Sequence, residues 1–161
     1  RESETYQGGD TAIVTDAPGF NLGMTICYDL RFPALHRALA EAGAEVLAVP
    51  AAFTVPTGAA HWEVLLRARA IETGCFVIAA AQGGAHENGR MTYGHSMIVD
   101  PWGKIVAEID GDETGVLVSD IDLSAVADAR GRVPALANSR HFSLSVNDAG
   151  ATSASPKEFL A

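Results

Sequence analysis

The chain has 161 residues, 48% of them hydrophobic, and a net charge of −9. That length is one domain's worth and buries a substantial core. An acidic chain whose few basic residues are scattered offers no stripe to track phosphates, so nucleic acid is excluded as a partner. No run of roughly 18 apolar residues occurs, so no spanning helix and no membrane partner is expected.

Two cysteines, Cys27 and Cys75, are too few for a disulfide framework, and a reducing, cytoplasmic home is expected. The opening "RESETYQGGD" has neither part of a signal peptide and reads like the middle of a longer sequence.

In chain order, "AIVT" at 12–15 reads as a short strand and "GMTICYD" at 23–29 as a second. "PALHRALAEAGA" has Leu35, Leu39 and Ala42 at helical spacing, with Pro33 at its start and Gly43 as its stop. "EVLAVPAAF" at 45–53 is nearly all apolar, as a strand covered on both faces is. "AAHWEVLLRARAIETG" at 59–74 is the longest helical pattern, and "CFVIAAAQ" a further buried strand. "GHSMIVDPWGKIVAEI" reads as a hairpin, with Pro101 and Gly103 in its turn. "GVLVSDIDL" at 115–123 predicts a strand and "LSAVADARGRV" a short helix. Beyond Leu144 the periodicity is lost, so 1–144 reads as the domain and 145–161 as a flexible tail. Strands alternating with helices, then strands in hairpin order, predict a layered α/β domain with a mixed sheet.

Cys27 stands out chemically. A thiol after a strand and before a helix faces a helix N-terminus, whose partial positive charge favours a thiolate. The backbone N–H of Tyr28 is placed to help hold an oxyanion. A cysteine nucleophile needs a base, and none of the five histidines stands in a Cys–His protease context. The plain alternative is a buried structural cysteine. There is no C-x-x-C, no H-E-x-x-H and no histidine pair at ligand spacing, so no metal and no cofactor are expected.

Three segments together, "ICYDLRFPALHRALAEAGAEVLAVPAAF", "TGAAHWEVLLRARAIETGCFVIAAAQ" and "YGHSMIVDPWGKIVAEI", resemble the nitrilase superfamily of carbon–nitrogen hydrolases, most closely its Nit branch. The resemblance runs from Arg1 to about Leu144, and several long motifs in order are far more specific than one short pattern. It implies the αββα layered sandwich, here incomplete at the N-terminus. It also implies cleavage of a linear amide C–N bond, in deaminated glutathione or a related keto-acid amide, through a cysteine thioester with release of ammonia. A homo-oligomer is implied for the complete protein.

By the same resemblance Cys27 is the nucleophile and Glu2 the accessory glutamate that orients substrate and catalytic groups. Arg31, one turn past Cys27, grips the substrate carboxylate in bidentate fashion; the plain alternative pairs it with Asp29 or Glu41. Phe53 and Thr57 match pocket-lining positions, or are a core aromatic and a loop hydroxyl. Asp29 fixes the loop by hydrogen bonds. His61, Trp62, Glu63, Arg67 and Arg69 share one helix and read as a buried polar network, with Glu63 and Arg67 as an i,i+4 pair. Cys75 is core.

The superfamily triad is Glu–Lys–Cys, with Glu and Lys upstream. This sequence has only Lys104 and Lys157, both after Cys27, and only Glu2 and Glu4 before it. The chain therefore reads as the C-terminal portion of an amidase, inactive alone. Other superfamily hydrolases (an omega-amidase, a general nitrilase, a carbamoyl hydrolase), a non-catalytic interaction fragment and a redox-sensing thiol protein are the competing readings.

Overall fold

Three apolar runs become the centre of the sheet because each is followed by a segment able to carry the chain back across it. The computed structural model describes residues 7–111, 113–144 and 157–160. In it, β1 (Ile13–Ala17) and β2 (Phe20–Met24) form a hairpin about Gly19, whose φ of 94° suits the turn. A 3-10 turn, Cys27–Arg31, then leads into α1 (Pro33–Glu41) and β3 (Val46–Ala48). α2 (Val55–Thr73) returns the chain to β4 (Phe76–Ala79). The parallel pairings β2–β3 and β3–β4 need such crossovers, and α1 and α2 provide them.

After a small hairpin of β5 (Gly83–Ala85) and β6 (Met91–Tyr93), strands β7 (Ser96–Val99) and β8 (Ile105–Ile109) extend the sheet antiparallel. The main sheet is six-stranded, in the order β1-β2-β3-β4-β7-β8. α3 (Ser124–Arg132) follows, and β9 (His141–Leu144) pairs with β10 (Lys157–Leu160).

Side-chain alternation along the strands splits the core in two. Leu47, Val77 and Ala79 face α1 and α2, where Leu39, Ala40, Trp62, Leu66 and Ala70 complete one buried cluster. Val46 and Phe76 point to the opposite face and meet Val126 of α3, with Leu22, Ile78 and Ile121 only partly covered there. The mixed sheet and its helices are the layered α/β architecture expected from the sequence.

Several expectations need correction. The strand at 23–29 ends at Met24: Thr25 donates both its N–H and its hydroxyl, the latter at 2.8 Å, to the Ala48 carbonyl, and the chain then folds into the 3-10 turn at Cys27. The ladders of β3 and β4 are shorter than their apolar runs; Val49 and Phe53 stay buried as core-packed loop. α2 begins at Val55, ahead of Ala59, since Pro56 fits a first helical turn that needs no donor there. It ends as expected at Gly74, with φ 61° and its N–H on the Ala70 carbonyl.

Residues 115–123 are not a strand: among the described residues no neighbour offers a ladder, and Val116 and Val118 are 88% and 82% exposed. The β7–β8 turn is as read, with Asp100 Oδ1 accepting from the N–H groups of Trp102 and Lys104. Of the expected tail, 145–156 lies outside the described residues, and 157–160 is β10. No helix of the described residues is long and apolar enough to cross a membrane.

Gly58 shows how tightly α2 meets β6. A Cβ on it would stand 2.2 Å from the Tyr93 Cβ. Gly58→Ala, which raises helix propensity, should therefore lower stability, by about 1–3 kcal/mol for overpacking. Urea unfolding checks this, and a midpoint that stays or rises would refute it.

His36 of α1 is fully buried, with Nδ1 3.0 Å from the Phe32 carbonyl and, among the described residues, no hydrogen-bond partner at Nε2. Burial pushes its pKa down, outweighing the Phe32 carbonyl that favours the charged ring; Arg69 pushes the same way as burial. The unfolded ring takes its proton near the ordinary value of about 6.5. Between that pH and the lower folded value the unfolded state binds more protons, so stability falls as pH drops through this window. Unfolding at pH 7.5 and 5.5 should show a smaller loss in His36→Met than in the parent. Equal losses would assign the slope to other groups.

Candidate active site

The carboxyl ends of the parallel strands β2 and β3 are where an open α/β sheet builds a ligand crevice. Cys27 follows β2 and Phe53 follows β3, so both reach the same rim. Past Met24 the chain still runs beside its neighbour, with Thr25 N–H on the Ala48 carbonyl and Cys27 N–H on the Pro50 carbonyl at 2.8 Å. It then folds into the 3-10 turn with Cys27 at φ 43°. A side chain other than glycine held in that left-handed region costs on the order of 1–3 kcal/mol and persists only where its surroundings enforce it. The Cys27 thiol is free and half-buried against the core.

The turn is enforced from both sides. Asp29 Oδ2 accepts the Ile26 N–H at 2.9 Å, so Asp29 fixes the loop as expected. Below, Arg69 of α2 donates Nε at 3.1 Å and Nη2 at 2.9 Å to the Leu30 carbonyl, and Nη1 to Glu72. Leu30 is fully buried and Arg69 4% exposed, so this fork works away from water. The helix beyond Cys27 is not immediate: the five-residue 3-10 turn intervenes, and α1 starts only at Pro33.

Arg31 leaves the turn between two rings, its guanidinium carbon 5.4 Å from the Tyr28 centroid and 5.1 Å from that of Phe53. Its Nη1 lies 3.3 Å from His61 Nδ1. Neither Asp29 nor Glu41 pairs with it; Asp29 serves Ile26 and Glu41 pairs with Arg37. Among the described residues its charge has no carboxylate partner. Phe53 is buried and leans on Trp62, ring centroids 5.0 Å apart, while Trp62 Nε1 donates to the His95 carbonyl at 2.8 Å.

Thr57 sits in the first turn of α2, not in a loop, and its hydroxyl is 2.9 Å from that of Thr54. The Tyr28 ring is exposed and tilts over Phe32. Glu2 lies outside the described residues.

The α2 network is only partly buried. Trp62 and Arg69 are buried, whereas the Glu63–Arg67 pair is real but half exposed. Cys75 is core: its thiol has no exposure, stands 3.2 Å from the Arg130 guanidinium, and has its pKa pushed up by burial. No local sequence pattern marks the Arg69–Leu30 fork or the Arg31–His61 contact. The available signal for Arg69 is its place among Trp62, Leu66, Ala70 and Thr73 on the buried helix stripe.

Among the described residues no group of three or more His, Cys, Asp or Glu could hold a metal. A groove of about 400 Å³ lies elsewhere, between the end of α2, Trp102, α3 and Val133–Ala137, and none of the Cys27 surroundings lines it.

Residues 1–131 match the carbon-nitrogen hydrolase family. The deaminated glutathione amidase of Yersinia enterocolitica is 51% identical over 143 residues, 89% of this chain and 50% of that protein. The crystal structure of the Caenorhabditis elegans NitFhit protein superposes with a TM-score of 0.81 at 48% identity, over 85% of this chain and 33% of that one. Saccharomyces cerevisiae Nit3, of branch 10 of the nitrilase superfamily, gives 0.76 at 36% identity, over 83% and 49%. This chain thus spans about half the length of that Yersinia relative. With its cysteine turn at the strand ends and a family match over most of its length, the chain belongs to the carbon–nitrogen hydrolase family.

Proposed function

We propose that this chain carries the nucleophile and the carboxylate grip of an amidase that cleaves deaminated glutathione or a related keto-acid amide. The observation that carries the reading is Cys27, a free thiol at positive φ on the strand-end turn, one turn from a guanidinium with no carboxylate partner among the described residues. The Cys27 sulfur attacks the amide carbon, and the C=O π electrons move to oxygen. The Tyr28 backbone N–H steadies that oxyanion. When the carbonyl re-forms, the C–N bond breaks and the nitrogen leaves with the thiol's proton, as cysteinylglycine from deaminated glutathione or as ammonia from a primary keto-acid amide. Water then attacks the thioester, giving the acid and the free thiol.

Arg31 holds the substrate carboxylate, and Phe53 and Thr57 line the pocket. Such an Arg–carboxylate pair is geometrically selective as well as strong. Glu2 serves as the accessory glutamate.

The proton acceptor and the oxyanion-binding lysine are not among these 161 residues at matching places, since no lysine precedes Cys27. We place both in polypeptide outside them. Losing one oxyanion donor alone slows such reactions roughly 100- to 1,000-fold. The same reading puts the working enzyme in the cytoplasm as a homo-oligomer, with no nucleic-acid or membrane partner. It is supported by the two unpaired cysteines and the acidic composition.

The test is release of cysteinylglycine from deaminated glutathione by the chain alone and by the chain joined to the N-terminal half of the Yersinia relative. The joined form should be active and the chain alone nearly inactive. Cys27→Ala should abolish the activity, and Arg31→Ala should raise KM about 10- to 100-fold, the loss of a charge-assisted pair. Activity that survives Cys27→Ala would overturn the assignment of the nucleophile. An unchanged KM in Arg31→Ala would remove the carboxylate grip.

A further inference from the structure

The contact between Arg31 and His61 has a defined sense. A guanidinium has only N–H donors and stays protonated. In this contact His61 Nδ1, 3.3 Å from Arg31 Nη1, is the acceptor. Arg31 comes from the 3-10 turn and His61 from the second turn of α2, so the contact ties together two elements that frame the cysteine. The Tyr28 and Phe53 rings, each within 5.4 Å of the guanidinium carbon, flank the group but hold it only loosely, because a ring face sets no direction for the N–H groups. His61 is the one described hydrogen-bond partner that orients the Arg31 guanidinium.

We propose that His61 is a positioning residue for specificity: by accepting one Arg31 N–H it orients the guanidinium so that its remaining donors meet a carboxylate presented beside Cys27. This rests on the reading of Cys27 and Arg31 given above. It assigns to His61 the preference for carboxylate-bearing over neutral amides, a preference Arg31 cannot enforce while free to swing.

Thiol alkylation reads this without amide turnover, so failure of the amidase reading and failure of this one remain distinguishable. Cys27 is exposed to iodoacetate and 3-iodopropionate, and in parallel to their neutral amides. In each reaction the sulfur–carbon bond forms as the carbon–iodine bond breaks, iodide leaves, and the thiol proton passes to buffer. Cys75, being fully buried, stays silent.

The quantity measured is the ratio of the carboxylate rate to the amide rate. His61→Phe keeps a ring but removes the acceptor, and should lower the ratio about tenfold, the worth of one hydrogen bond to a charged group. His61→Asn puts Oδ1 where Nδ1 was and should restore the parent ratio. His61→Leu should behave as His61→Phe does. A ratio unchanged in His61→Phe, or an equal loss in His61→Asn, would overturn the role of His61, whether or not the joined enzyme hydrolyses the amide.

Discussion

The Arg69 guanidinium, buried beneath the 3-10 turn, is the interaction on which the site depends. Two of its N–H groups converge on the Leu30 carbonyl, three residues past Cys27. A buried carbonyl without a partner costs about 1–3 kcal/mol, and an arginine kept from water without one costs more. The turn and α2 therefore hold each other. If α2 shifts, the carbonyl is stranded; if the turn opens, the guanidinium is. Glu72 takes the remaining part of the guanidinium at the helix surface.

That constraint is what makes the strain at Cys27 sustainable. A positive φ at a cysteine needs fixed points on both sides, and they are the Pro50 carbonyl ahead of it and the Asp29 carboxylate and Leu30 carbonyl behind it. The parallel pairing β2–β3 brings Phe53 to the same rim, and α2 brings Trp62 and His61. The thiol, the guanidinium and the aromatic wall thus come from segments far apart in sequence, placed by a short crossover helix and one long one. The second face of the sheet is less complete. Ile121 and Val126 cover part of it, while Val116 and Val118 stand in water.

Much of this was legible in local patterns. The helices around Leu39 and Leu66 follow from periodicity, the 96–109 hairpin from its Asp-Pro-Trp-Gly turn, and Cys27 from a distinctive motif. What was not legible is non-local. Residues 115–123 carry a strand's alternation, but a ladder needs a neighbour, and alternation says nothing of whether one is there. The β5–β6 hairpin is built on Gly83 and Gly84, which leave no apolar signature. The Arg69–Leu30 fork spans 39 positions and the Arg31–His61 contact 30, so only the folded chain shows them. Motif resemblance carries the αββα sandwich and the superfamily, while the order of local strand and helix patterns reaches only a mixed α/β sheet.

Mass spectrometry of the acyl-enzyme tests the central claim most directly. The joined enzyme is mixed with deaminated glutathione, quenched in acid during turnover and digested. An acyl group carried as a thioester on the Cys27 peptide, and lost on treatment with hydroxylamine, is the predicted result. Steady release of cysteinylglycine with Cys27 unmodified, or the acyl group on another side chain, would contradict it.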